Sequence, residues 1–134
     1  MYTDVRSGKV EELADNPHAE LVFFDPRKLV QLRCAGSAET LTGPHAQAAF
    51  SLAPQRTYAD YTSDAAPGAT LSDAPEPPPP PPAADDPAAA AAANFCVLQI
   101  RVGVVDALDL RRDGHRRARL SWSGDAASAV WIAP

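Results

Sequence analysis

Apolar positions fall at strand spacing in four stretches of this chain and at helical spacing in two. Residues 19–25 (Ala-Glu-Leu-Val-Phe-Phe-Asp) read as a strand rich in branched and aromatic side chains. From Leu29 to Thr40 the pattern alternates, with Val30, Leu32 and Cys34 on one face and Gln31 and Arg33 on the other. The intervening Asp25-Pro26-Arg27-Lys28 is a turn with proline in a favoured place, so the pair reads as an antiparallel hairpin. Gly36 inside the second strand marks a bulge or a close backbone approach. Phe95–Val105 is the longest predicted strand, and Cys96, Leu98, Ile100, Val102 and Val104 make its apolar face. Arg111-Arg112-Asp113-Gly114 is a hairpin turn, His115–Trp122 the next strand, and Trp131-Ile132 a last short one.

Helical spacing appears first in Asp4–Asp15, where Val10, Leu13 and Ala14 form the apolar face. Asp4 or Ser7 can cap its free amides, and Asn16-Pro17 stops it. Pro44 opens a second short helix that runs to about Leu52 and is closed by Pro54. Met1–Thr3 reads as the tail of a strand. Helix, two strands, helix, then two or three strands predicts a mainly β (α+β) fold. The expected form is a small antiparallel barrel with peripheral helices, not a parallel α/β sheet.

Composition changes this picture in one place. Residues 60–94 carry nine of the 14 prolines, twelve alanines, six acids and no base. Pro77–Pro82 and Ala88–Ala93 are unbroken runs, and only Tyr61 and Leu71 could anchor the stretch in a core. So few large apolar groups do not offset the entropy of ordering. The expectation is a single domain over 1–134, interrupted by a disordered insert of polyproline II character at 60–94. The net charge of −5 belongs to that insert, and the remainder is close to neutral. A mildly acidic chain argues against a general nucleic-acid binder. No apolar run reaches the roughly 18 residues of a membrane helix, and Met1-Tyr2-Thr3-Asp4 carries no apolar signal region. A soluble cytoplasmic protein is expected, with no membrane partner. Two cysteines are too few for a disulfide framework, so Cys34 and Cys96 are expected as reduced core thiols.

Three groups of residues could carry chemistry. Thr3-Asp4-Val5-Arg6-Ser7-Gly8-Lys9 puts hydroxyls, two cations and the free amides of a helix start within seven residues. Helix N-termini stabilise phosphate through unpaired N–H groups and the dipole, and a plain helix cap uses the same residue types. Gly114-His115-Arg116-Arg117-Ala118-Arg119 places Arg117 and Arg119 on one face of a strand and Arg116 on the other. That is either an anion site, since arginine binds phosphate and carbonyl groups bidentately, or a charged edge that blocks aggregation. Gln31, between Val30 and Leu32, either faces water or offers an amide to a ligand beside Arg33. No catalytic triad and no metal-ligand spacing emerges, so no metal is expected.

Taken together, Tyr2-Thr3-Asp4-Val5-Arg6-Ser7-Gly8-Lys9, Asn16-Pro17, Leu21–Pro26, Val30-Gln31-Leu32-Arg33 with Gly36, Gly114–Arg119 and the closing Trp131-Ile132-Ala133-Pro134 resemble the pyridoxamine 5′-phosphate oxidase family. The nearest branch is its short bacterial flavin-binding proteins. The resemblance covers residues 1–58 and 95–134 and starts after the family's first strands. It implies an antiparallel split β-barrel, incomplete at the N-terminus, that binds FMN at the interface of a homodimer. It also implies that Tyr2, Thr3, Ser7 and Lys9 surround the FMN phosphate. Gln31 and Arg119 would lie near the flavin, and Arg116 and Arg117 would meet a small-molecule substrate. Gly8 departs from the second basic residue common there, and Leu108 or Leu110 from a flavin-contacting tryptophan. The implied activity is that of an FMN-dependent oxidoreductase of unassigned substrate. The alternative is a non-catalytic module for flavin or another anionic cofactor, with the Pro-rich loop docking a partner.

Overall fold

The computed structural model describes residues 1–74 and 87–134 of the chain. They divide into two compact units. The first comprises Met1–Asn16 and Glu39–Gln99, and the second Pro17–Ala38 and Ile100–Pro134.

In the first unit, β1 (Tyr2–Asp4) is followed by α1 (Gly8–Asp15), α2 (Gly43–Ser51), a 3₁₀ helix (Gln55–Tyr61) and α3 (Pro87–Asn94). β1 pairs antiparallel with the start of β4 (Phe95–Asp109), Thr3 lying opposite Cys96. The α1 helix begins later than its pattern predicts. Asp4 to Ser7 instead form a turn in which the Ser7 amide donates to the Asp4 carbonyl at 3.1 Å. At the other end the Asn16 amide still reaches the Glu12 carbonyl at 2.9 Å, and Pro17 prevents continuation. Ala46, Phe50, Ala91 and Phe95 form the core, and Tyr58 and Tyr61 pack against it. Phe50 stacks on Tyr58 at 4.6 Å between ring centres, and both Phe50 and Tyr61 meet Phe95 edge-on at 5.2 and 5.1 Å.

This core corrects the expectation for residues 60–94. The stretch does not lack ordered elements: Tyr61 packs against the core, and Ala88–Ala93 lie in α3 with Ala91 fully buried. Alanine has the best helix propensity because it loses no side-chain entropy, so a run poor in large groups can still order as a helix. Its small methyl then suits a helix packed against the aromatic rings. Leu71 is exposed, as expected of a loop. The Pro77–Pro82 run lies outside the described residues.

In the second unit the strand order is β2-β3-β4-β5-β6, all antiparallel in the pairs described below, and among the described residues the sheet does not close. Here β2 is His18–Asp25, β3 Val30–Leu41, β5 Arg116–Ser123 and β6 Ala126–Ile132. The β2–β3 turn is held by Asp25, whose Oδ1 accepts the amides of Arg27 and Lys28 at 2.9 and 3.1 Å. Gly36 proves to be a close approach: a Cβ there would stand 2.1 Å from the Arg101 carbonyl oxygen on β4. The last hairpin is longer than its sequence suggests. Ala126–Ala129 are weak strand formers, yet Ser123 pairs with Ala126 across a two-residue turn whose first residue, Gly124, has φ 60°. The expected mainly β, antiparallel architecture is therefore present, and the sheet is open among the described residues, as an incomplete barrel would be.

Candidate functional site

The residues proposed from sequence fall into two sets, one in each unit. The first set assembles where β1 leads into α1. Thr3, Asp4 and Ser7 are all buried. Ser7 is the N-cap of α1, but its hydroxyl makes no capping bond; it lies 3.4 Å from the Thr3 hydroxyl instead. Lys9, one turn on, donates from Nζ to Thr3 Oγ1 at 3.1 Å. Two hydroxyls and an ammonium thus converge beside the first-turn amides of an eight-residue helix. Tyr2 is half exposed, its ring 5.1 Å from that of Phe95.

The second cation of the motif is used otherwise. Arg6 donates through its amide and Nε to Asp4 Oδ1, at 2.8 and 3.1 Å, and through Nη2 to Oδ2 at 2.8 Å. Its Nη2 also reaches the Ser63 carbonyl at 2.9 Å. Burial pushes the Asp4 carboxyl up, but the hydrogen bonds and charge of Arg6 outweigh it and hold the group below the usual carboxylate range. Arg6 and Asp4 neutralise one another, and Lys9 forms no ion pair among the described residues. The local balance is therefore one free ammonium among hydroxyl and amide donors. That is the chemistry of a phosphate-like oxyanion site, and it fits the 5′-phosphate of FMN.

The second set lies on β3 and β5. Gln31 is half-buried opposite Phe24. Its neighbour Arg33 is tied to Glu20 at 2.9 Å. On β5, Arg116 is exposed opposite Asp109, Arg117 stands opposite Leu108, and Arg119 opposite Asp106. Arg117 grips Asp106 with both Nε and Nη2, at 2.7 and 2.9 Å, and Arg119 Nη2 lies 3.6 Å from the same carboxylate. Hydrogen bonds from Arg117 hold the Asp106 carboxyl below its ordinary range, against the smaller effect of burial. Arg117 and Arg119 thus share a face, as the alternation predicts. A hollow of about 390 Å³ beside them is lined by His115, Arg116, Arg117, Trp131, Ile132 and Pro134.

Sequence reasoning missed Asp106. The signal was available: the even-numbered apolar face of β4 runs Val102, Val104, Asp106, Leu108, and a lone acid at such a position needs a cation. It also missed a hollow of about 760 Å³ that includes Gly36, Arg101, Gly103 and Trp122. Gly103 and Gly124, which also line it, leave open space where a side chain would stand, while Gly36 lets β4 approach closely, a pattern visible only once the strands are paired.

Residues 1–42 match the family model described as pyridoxamine 5′-phosphate oxidase, FMN-binding domain. In fold the chain is similar to a pyridoxamine 5′-phosphate oxidase-related, FMN-binding protein from Nostoc punctiforme PCC 73102. That likeness has 23% identity and a TM-score of 0.76, and covers 99% of this chain and 71% of that one. It is also similar to PhzG from Burkholderia lata 383, solved in complex with tetrahydrophenazine-1-carboxylic acid. Here the identity is 16% and the TM-score 0.73, over 100% of this chain and 67% of that one. No curated protein matches. The resemblance read from the motifs is borne out, by the family model over the N-terminal third and by the split-barrel type of fold over the whole chain. The cofactor of the matched domain is FMN. Among the described residues no helix is long and apolar enough to cross a membrane.

Proposed function

We propose that this chain is an FMN-dependent oxidoreductase of the pyridoxamine 5′-phosphate oxidase-like kind, acting on a small-molecule substrate in the cytoplasm. The supporting observation is the convergence of Lys9 Nζ, Thr3 Oγ1 and Ser7 Oγ at the start of α1. These three groups hold the cofactor phosphate, and the ring of Tyr2 flanks them. When bound, FMN supplies reversible uptake of a hydride equivalent and its delivery to an acceptor. The protein's part is to bind and orient. Gln31 offers its amide to the ring or ribityl chain, and Arg119 a guanidinium to the electron-rich edge of the flavin. Arg116, exposed on β5, faces the substrate. Catalytic competence requires a homodimer with the flavin at its interface. A flavin-binding module without turnover shares every one of these binding contacts, and steady-state assays with candidate amine or nicotinamide donors separate the two.

The test uses two ligands. Lys9→Ala removes one charge-assisted hydrogen bond, worth roughly 1.5–3 kcal/mol, so FMN binding falls about ten- to a hundredfold. Riboflavin has no phosphate, and its affinity stays within about twofold of the parent. Equal losses for both flavins in a fluorescence titration would give Lys9 a folding role. No loss for either would return Thr3–Lys9 to a helix cap.

A further inference from the structure

On β4 the face that carries Val102, Val104 and Leu108 is interrupted by Asp106, which is 9% exposed. A carboxylate withdrawn from water needs a cation with good geometry, or its desolvation goes uncompensated. Two cations compete for it. Arg117 meets both carboxylate oxygens with a parallel pair of N–H groups, at 2.7 and 2.9 Å. Arg119, directly across the strand pair, reaches only one oxygen, at 3.6 Å. Their exposures follow the same order, 28% for the Arg117 side chain and 51% for Arg119. One negative charge against two positive ones leaves the cluster with a surplus cation, and the geometry says which arginine carries it.

We infer that Asp106 is a positioning residue that divides the work of the two arginines. It locks Arg117 as an anchor, withdrawing that side chain from ligand binding. It also orients Arg119 so that most of its N–H groups face outward, toward an electron-rich ligand. The identity of that ligand, the flavin ring, rests on the reading under Proposed function. The division itself rests on the fork geometry alone. It changes the assignment of Arg117, which the family resemblance groups with substrate contacts: the carboxylate already takes the Nε–Nη2 edge of the guanidinium.

The full chain tests this with Asp106→Asn, Asp106→Glu, Arg119→Gln and the double variant Asp106→Asn/Arg119→Gln, titrated with FMN and with riboflavin. Asp106→Asn is expected to weaken both flavins by the same factor, on the order of tenfold, because the ring and not the phosphate is affected. Arg119→Gln should do the same, and the double variant should lose no more than either single one. Asp106→Glu should recover most of the affinity. In the ligand-free protein, the Arg117 Nε–H should give a separate, slowly exchanging ¹⁵N signal that Asp106→Asn abolishes. Additive losses in the double variant, or unchanged flavin affinity in Asp106→Asn, would overturn the positioning role. If the parent chain binds neither flavin, the flavin reading fails by itself. The Nε–H signal then decides the anchoring: its presence upholds the lock on Arg117, and its absence removes it.

Discussion

In the first unit Phe50 and Phe95 are buried against Ala46 and Ala91, with two tyrosine rings closing over them. In the second, the buried side chains among the described residues are Ala38 and Asp106, while Val22, Phe23, Phe24, Trp122, Val130 and Trp131 stand at least two-fifths exposed. One unit is held by withdrawing aromatic surface from water. The other is held by strand ladders, one close backbone contact at Gly36 and ion pairs at Asp106 and Asp109. The lesson is that aromatic content does not locate a core: both units are rich in rings, and only one of them packs its rings together.

The sharpest way to break this contrast is Phe95→Ala. Phe95 is 3% exposed and touches the rings of Tyr2, Phe50 and Tyr61. Truncation of such a side chain costs about 3–5 kcal/mol, so denaturant unfolding should show a large loss of midpoint with little change in slope. Gly36→Ala comes next. The added methyl meets backbone, not a movable side-chain tip, and overpacking of this kind costs about 1–3 kcal/mol. Faster amide exchange localised to β3 and β4 is the expected signature.

Acid should act on both units, and more gently. The carboxyls of Asp4 in the first unit and of Asp106 and Asp109 in the second are held below the ordinary range in the folded chain. A carboxyl depressed by folding contributes stability above its unfolded value, near 3.9, and loses it as pH falls through the folded value. The melting temperature should therefore be flat near neutrality and decline below about pH 4. Asp106→Asn should flatten part of that decline. Trp131→Ala is the smallest change. At 78% exposure it should alter stability by no more than about 0.5 kcal/mol, although the ring is larger than that of Phe95. A Trp131→Ala loss comparable with that of Phe95→Ala would show that the second unit hides a core of its own.

Much of the local structure was legible. The β2–β3 hairpin, the helix opened by Pro44 and the close approach at Gly36 follow from alternation, turn chemistry and the missing Cβ, which are short-range effects. The Thr3, Ser7 and Lys9 cluster was legible for the same reason, since the short turn from β1 into α1 brings them together. Arg6 was not: its motif position offers a cation to phosphate, and only the structure shows it clasping Asp4 two residues back and reaching the Ser63 carbonyl.

The sequence by itself determined that β2, β3, β4 and β5 are strands and that Pro44 opens a helix, because those depend on neighbours within a few residues. It also determined the family resemblance, which residues 1–42 carry most strongly. Tertiary structure decided that Ala88–Ala93 lie in a helix with Ala91 in the core, since composition cannot tell that an aromatic surface awaits that methyl group. It decided that the sheet stays open among the described residues, because pairing at its edges is set by what lies beside them in space. And it decided that Asp106 takes Arg117 more tightly than Arg119. That choice turns on distances of 2.7 and 3.6 Å between strands, and no spacing along one strand encodes it.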